Sequence, residues 1–537
     1  MIPQNVMPVV FLEGTDYEMG YQYGEQLAEY FPFACSDAWV RALKRGDSRH
    51  PTASSRENVL RDVKIYRALL EEHMPEQLEQ IRGICDALAD AGVALQETDI
   101  LLVQSGVNRR LAAEEHSRLG STSGGKDCCA WSAWGETTKN GQLICGDSCD
   151  GDFKPQVCMI AFPEEGCPYV TTAYIGELSD HFSYSFKGLF FGDSGGNGRR
   201  LADWGYGLRW PSVIQHCVRF ADGAEDAERM IASWPHALPE NYHLVDKSRS
   251  ARVIEITADL QTVRKPGEYG EGDFLYSTNN FMANEMRCAC DPQESSKYVL
   301  HGGWPGNAGV PRNLEMFHLF EAYKGSVDLE FAKMMWRFPG DSPSVLGEGG
   351  WSNMICRLSN TRVGLVLPDE GEFGEVHICT GPVGRVIHQF RRSTFPVQAT
   401  HQFVRIPLQS SAEQIVDAMY NLGCDSIAAS YHALSRSNLD HPNYFGLQEI
   451  QREAHTCLYE GREAYYKGLL SSSTRRLSWL SEAASQLALA QAHAGELREM
   501  IEMPPTIPDM LGLPAWQGGY SIEAEYGPGF ESKTMDA

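Results

Sequence analysis

Apolar and polar positions change rhythm twice along this chain. Before residue 113 the apolar residues recur at helical spacing. From Cys128 to about Arg385 they fall in short alternating runs separated by Gly, Asp and Asn. Beyond about Phe395 the helical spacing returns. The first region predicts a helix opening at Thr15-Asp16-Tyr17-Glu18, where a capping signal precedes the run. Gly20 and Gly24 fall on one face of that helix and allow close packing. A long amphipathic stretch over 54–91 and a helix over 97–112 follow, and the Gly/Ser-rich segment 120–126 leads to Cys128. The middle region predicts strands over 157–162, 169–175, 188–191, 252–257, 354–358, 364–367 and 375–379, with helices over 210–234 and 312–336. The last region predicts helices over 411–422, 425–434, 445–469 and 474–503. The last of these has the Ala/Leu-rich look of a small bundle, and the Pro- and Gly-rich final thirty residues read as a loosely held tail. No internal repeat is present.

The most informative stretch runs from Cys128 to Asp150. Trp131, Ala133, Leu143 and Ile144 supply strand positions, and Lys139-Asn140-Gly141 supplies a turn, so the stretch predicts a hairpin. A hairpin returns its far end to its start. Asp150 is therefore expected beside Cys128, a thiol next to a carboxylate at a place where nucleophilic chemistry is feasible.

At 537 residues the chain suits a large catalytic domain with an accessory one. The net charge of −25 speaks against a nucleic-acid partner. Residues 1–14 lack the cationic flank and apolar run of a signal peptide. No stretch has the length of a membrane-spanning helix, so no membrane partner is expected. Fifteen scattered cysteines do not suggest a disulfide framework, and together these features predict a reducing, cytoplasmic setting.

The Cys128 segment resembles the nucleophile segment of the N-terminal-nucleophile (Ntn) amidohydrolases, in particular the acyl-CoA:6-aminopenicillanate acyltransferase family. The pattern there is Cys-Ser/Thr-x-Phe/Trp, a turn with Asp/Asn-Gly, then Gly-x-Asn-x-Asp. Cys128, Trp131, Trp134-Gly135, Thr138, Asn140-Gly141, Gly146 and Asp150 fall in register with it. Further likeness follows in order. The opening Gly14…Glu18-x-Gly20-x-Gln22-x-Gly24 resembles the family's first element, with Tyr23 where His is common. Asn241-Tyr242-His243-Leu244-Val245-Asp246 with Val253-Ile254-Glu255, Thr278-Asn279-Asn280-Phe281 with Asn280 in place of His, Arg312, and Gly381-Pro382 resemble later ones. The likeness spans roughly residues 10 to 385.

The resemblance implies an α+β, four-layer αββα sandwich. It has a mostly helical segment 1–127, a catalytic core 128–395 and a helical C-terminal extension 396–537. It also implies catalytic roles: Cys128 as nucleophile, Asn279 as oxyanion donor, and Asp150 and Arg312 as supporting charges. A free α-amine on Cys128, titrating near ~8, would serve as base. That role requires self-cleavage between Asp127 and Cys128, where relatives commonly have Gly before the cysteine. A second departure is Asp147-Ser148, where relatives carry Arg or Gln and then Asn; the missing positive neighbour predicts a less acidic thiol.

Gly192-Asp193-Ser194-Gly195-Gly196 has the look of a serine-hydrolase motif. No Ala-His-Cys precedes it, and the glycines after the serine make a poor helix start. It reads instead as a loop lining the pocket, and Trp131, Ser185, Asp193 and Ser194 are the substrate-pocket candidates. Cys145-x-x-x-Cys149 and Cys288-x-Cys290 lack zinc-site spacing, and Asp147, Asp150 and Asp152 lack the rest of a calcium loop. Neither a metal nor a cofactor is expected. The reading is a cysteine-nucleophile amidohydrolase acting on a linear amide, such as an N-acyl amino acid or a peptide-like small molecule. Expected assemblies are a homodimer or a heterodimer of processed chains. The alternatives are an acyltransferase using acyl-CoA, and an inactive scaffold binding a partner through its helical tail.

Overall fold

The computed structural model describes residues 7–44, 55–105, 128–150, 155–196, 200–290, 310–337, 360–380, 402–436 and 444–502. Its strands are β1 (Val9–Gly14), β2 (Cys129–Gly135), β3 (Gly141–Asp150), β4 (Gln156–Pro163), β5 (Tyr169–Tyr174), β6 (Ser183–Ser185) and β7 (Phe190–Gly195). They continue with β8 (Glu240–Val245), β9 (Arg252–Ile256), β10 (Gln261–Arg264), β11 (Phe274–Ser277), β12 (Asn360–Leu367), β13 (Glu375–Thr380) and β14 (Val404–Pro407). They form an eight-stranded sheet ordered β1-β4-β5-β6-β7-β8-β9-β10 and a six-stranded sheet ordered β11-β2-β3-β12-β13-β14.

Alternation along each strand decides what each face covers. In β1, Val10 and Leu12 join a core shared with the N-terminal helices and the helix Trp210–Phe220. Val9 and Phe11 turn to a second core that also takes Leu143, Cys145 and Val366 from the smaller sheet. Cys129, Trp131 and Ala133 of β2 face a third core against the helices Val310–Ala322 and Leu329–Arg337. Helices, sheet, sheet and helices therefore stack in that order, a mixed α+β architecture.

Several elements differ from the sequence reading. β1 lies in a region that reads as helical; it pairs in parallel with β4, Val9 opposite Cys158, a partner about 150 residues away. The stretch 54–91 is two helices, Arg56–His73 and Pro75–Asp90, because Pro75 lacks an N–H and starts a new helix at its first position. The stretch 210–234 breaks at Gly223 into Trp210–Phe220 and Ala224–Ala232. Helix Ala412–Arg436 is continuous where two were expected. The expected strand over 354–358, the loop 120–126 and the final thirty residues lie outside the described residues.

Candidate functional site

The hairpin forms as its sequence predicts, with Gly141 at φ 73° closing the turn into β3. Its register pairs Cys129 with Ser148, which sets Cys128 opposite Cys149. Asp150, expected at that position, is one residue further along and pairs with Asn360 of β12.

β12 runs along the other side of β3 and aligns Arg362 with Cys149. From the larger sheet, the connection between β5 and β6 contributes Asp180 and His181. The Cys128, Cys149 and His181 ligand atoms all lie within 4.8 Å of one another, and all three residues are buried. Cys128 Sγ is 3.9 Å from His181 Nε2. On the other side of the ring, His181 Nδ1 donates to the backbone carbonyl of Asp193 at 2.8 Å, which fixes the ring so that Nε2 faces the sulfurs. Tyr174 Oη lies 3.7 Å from Cys149 Sγ.

Charge around the cluster is dense and buried. Asp180 accepts from Trp210 Nε1 at 2.6 Å and from the Arg362 guanidinium, which also donates to Gln156 at 2.9 Å. The carboxylates of Asp180 and Asp193 each come to 3.6 Å from the His181 ring. Asp147 Oδ2 accepts the Asp193 N–H at 3.1 Å.

These neighbours set the ionisation states. The Cys128 thiol donating to it, with His181 and Arg362 beside it, holds the Cys149 sulfur well below the ordinary thiol range. Burial alone would push His181 down, but Cys149, Asp180 and Asp193 outweigh it and hold the imidazole well above its usual value. Burial pushes Asp147 up to about 7, against the pull of His181. Both shifts favour a thiolate on Cys149 and a protonated His181, with the Cys128 thiol donating to the Cys149 sulfur. The positive neighbour missing at Asp147-Ser148 comes from Arg362 and His181 instead.

The remaining expected site residues divide. β11 ends at Ser277, opposite Ala130, and Asn279 follows in a bend, its side-chain amide donating to the Gly195 carbonyl at 3.2 Å. Asp193 belongs to the cluster through its carbonyl and carboxylate. Ser194 does not sit on a nucleophile elbow or in a loop: β7 continues through it, opposite Asn241, and its hydroxyl donates to the Thr278 carbonyl at 3.0 Å. Trp131, expected at the pocket, is fully buried on the other face of β2, against Phe320 and over Gly146. Ser185 donates to Cys167 Sγ at 3.3 Å. The side chains of Asp150 and Arg312, and Asp127 with the expected cleavage site, lie outside the described residues.

Sequence reasoning missed Cys149, His181 and Arg362. The first follows from the hairpin register alone. The other two reach the site only through sheet topology; His181 has one local signal, the mostly polar run Glu177-Leu178-Ser179-Asp180-His181 between apolar strands, and Arg362 has none.

No family model matches the sequence. An uncharacterised protein of Archaeoglobus fulgidus is 23% identical over 284 residues, 48% of this chain and 44% of that one; the chain thus spans less than half the length of the curated relative it matches. Among solved structures, a mutant of the conjugated bile acid hydrolase from Clostridium perfringens overlaps 47% of this chain and 89% of its own, at 10% identity and TM-score 0.32. Penicillin V acylase from Agrobacterium tumefaciens overlaps 47% and 83%, at 14% identity and TM-score 0.30. A Caenorhabditis elegans orthologue of N-acylethanolamine-hydrolyzing acid amidase overlaps 46% and 96%, at 12% identity and TM-score 0.29. Likeness at this level carries neither activity nor substrate across.

Proposed function

We propose that this chain is an amidohydrolase that cleaves a linear amide through a thioester on Cys128. One observation carries the reading: a buried thiol at the head of β2 stands 3.9 Å from an imidazole whose other nitrogen is held by a backbone carbonyl. In the reaction, Cys128 passes its proton to the Cys149/His181 pair as sulfur attacks the amide carbon. The imidazolium then protonates the departing amine. Water resolves the thioester, or an amine takes the acyl group, which would make the enzyme an acyltransferase. In a chain cut before Cys128, the new α-amine would be a second base beside the sulfur, titrating near ~8.

The Asn279 amide, just beyond the strand that pairs with β2, is the side-chain donor suited to a developing oxyanion once it leaves the Gly195 carbonyl. Asn279→Ala should lower kcat by roughly a hundredfold or more with little change in KM. A raised KM at unchanged kcat would make Asn279 a binding residue instead.

The deciding experiment incubates the protein with a panel of N-acyl amino acids and dipeptides, with and without acyl-CoA. It pairs this assay with denaturing electrophoresis. Release of amine by wild type and its loss in Cys128→Ser is the expected result. Two fragments meeting at Asp127/Cys128, replaced by one band in Cys128→Ala, would establish processing. Undiminished turnover by Cys128→Ser would reject the nucleophile.

A further inference from the structure

We propose that Cys128, Cys149 and His181 form a binding site for a thiophilic divalent cation, Zn2+ above all, which ties up the Cys128 sulfur and closes the hydrolytic site reversibly. The binding claim stands on geometry alone, and its inhibitory consequence rests on the amidohydrolase reading.

Three features of the cluster support it. The first is the donor set. Two cysteine sulfurs and one imidazole nitrogen suit zinc, and with three protein ligands a fourth position stays open for water or substrate. The second is spacing. Zinc bonds of about 2.3 Å to sulfur and 2.0 Å to nitrogen put neighbouring tetrahedral ligands about 3.6–3.8 Å apart. The Cys128 sulfur already lies 3.9 Å from His181 Nε2, and the three atoms are all within 4.8 Å of one another. Movements of about an ångström would complete the geometry.

The third feature is the support behind one ligand. A metal-bound histidine typically donates its other ring N–H to a carboxylate or a backbone carbonyl, which fixes both its orientation and its basicity. His181 Nδ1 makes this bond to the Asp193 carbonyl at 2.8 Å. The buried carboxylates of Asp147 and Asp193 also lie beside the cluster, and the Arg362 charge is offset by Asp180.

Binding is a ligand exchange with a simple balance. The metal gains two thiolates and a neutral imidazole, and two protons leave to solvent. No electron moves. A sulfur whose lone pair is held by the metal no longer attacks a carbonyl, so saturation should stop turnover and a chelator should restore it.

The test uses the full-length, reduced protein and Zn2+ itself. Equilibrium dialysis and competition against a chromophoric chelator should give one bound ion per chain. Cys149→Ser and His181→Ala should each weaken binding about a hundredfold or more, while Cys145→Ser, four residues away on the same strand face, should bind as wild type does. Because a core variant could misfold, Co2+ in the wild type supplies a second reading, an intense sulfur-to-metal charge-transfer band that Zn2+ displaces. Absence of that band, or affinity untouched in folded Cys149→Ser, overturns the site. Stoichiometric Zn2+ binding with no amidase activity on any substrate supports the site and counts against the amidohydrolase reading alone. Full amidase activity at saturating Zn2+ overturns the claim that the ion holds Cys128.

Discussion

Two adjacent cysteines at the head of β2 show how much a single strand position decides. Cys129 turns to the helical side, where it lies 3.8 Å from Ser148 Oγ and joins the core around Trp131. Cys128 faces His181 across the gap between the sheets. Cys128→Ser should therefore abolish or severely slow amide cleavage, and Cys129→Ser should keep most of it. The kcat of each purified variant decides the matter, and the reverse pattern would mean that the nucleophile is misplaced by one residue. A third side chain between the sheets, His243, reports on folding instead of chemistry. Burial drops it to about 3, and its Nε2 lies 3.0 Å from Ser132 Oγ. It therefore stays neutral in the native state while the unfolded chain protonates it near ~6.5. The folded value is the depressed one, so its contribution is present above ~6.5 and is lost as pH falls toward 3. Against wild type, His243→Gln should flatten the fall of unfolding free energy between about pH 6 and 4 by about 1.4 kcal/mol per pH unit. Urea melts across that range should give parallel limbs if His243 is not the group responsible.

At the scale of elements, what the sequence reveals depends on how far away each partner lies. The hairpin was legible because a turn signal and two apolar runs sit within twenty-odd residues. The same locality explains Thr15, whose side chain accepts the Glu18 N–H while Glu18 reaches back to cap it. The glycine face of that first helix was legible too, though not what it meets. A Cβ on Gly20 would come to 1.9 Å from the Gln80 carbonyl, and one on Gly83 to 2.1 Å from the Tyr17 carbonyl, so the two helices touch backbone to backbone. Gly20→Ala should cost roughly 2 kcal/mol or more, since no flexible side chain is there to give way. A urea midpoint unchanged from wild type would show that the helices can separate freely. By contrast, β1 reads as a helical leader because its parallel partner β4 is remote. His181 and Arg362 are hidden for the same reason: they reach Cys128 through the β5–β6 connection and β12, whose alignment no local spacing encodes, whereas Cys149 is set by the hairpin itself.

On the scale of the whole molecule, the C-terminal helix Ser473–Glu502 is more than an appendage to the sandwich. Among the described residues, β1 ends one sheet and β14 ends the other, so each leaves a row of backbone groups without a strand partner. The helix meets both. Ser485 and Ser481 accept the N–H groups of Val9 at 3.0 Å and Phe11 at 2.9 Å, and Gln491 bonds both the N–H and the carbonyl of Arg405. Around these contacts, Leu480, Ala483, Ala484, Leu487 and Ala488 enter the core between the sheets. Its small residues, which suggested a bundle, let the helix lie close against two strand edges at once. Ser481→Ala with Ser485→Ala would leave two buried N–H groups without acceptors, at about 1–3 kcal/mol each. The double variant should melt at clearly lower urea while its kcat, measured on the folded protein, stays near wild type. Ending the chain at residue 472 removes the cover from both edges, and the truncated protein should associate edge to edge into species larger than the full-length chain forms. Sedimentation of the truncated chain checks this, and no such larger species, with a cooperative wild-type melt, would show that the edges are protected by something else.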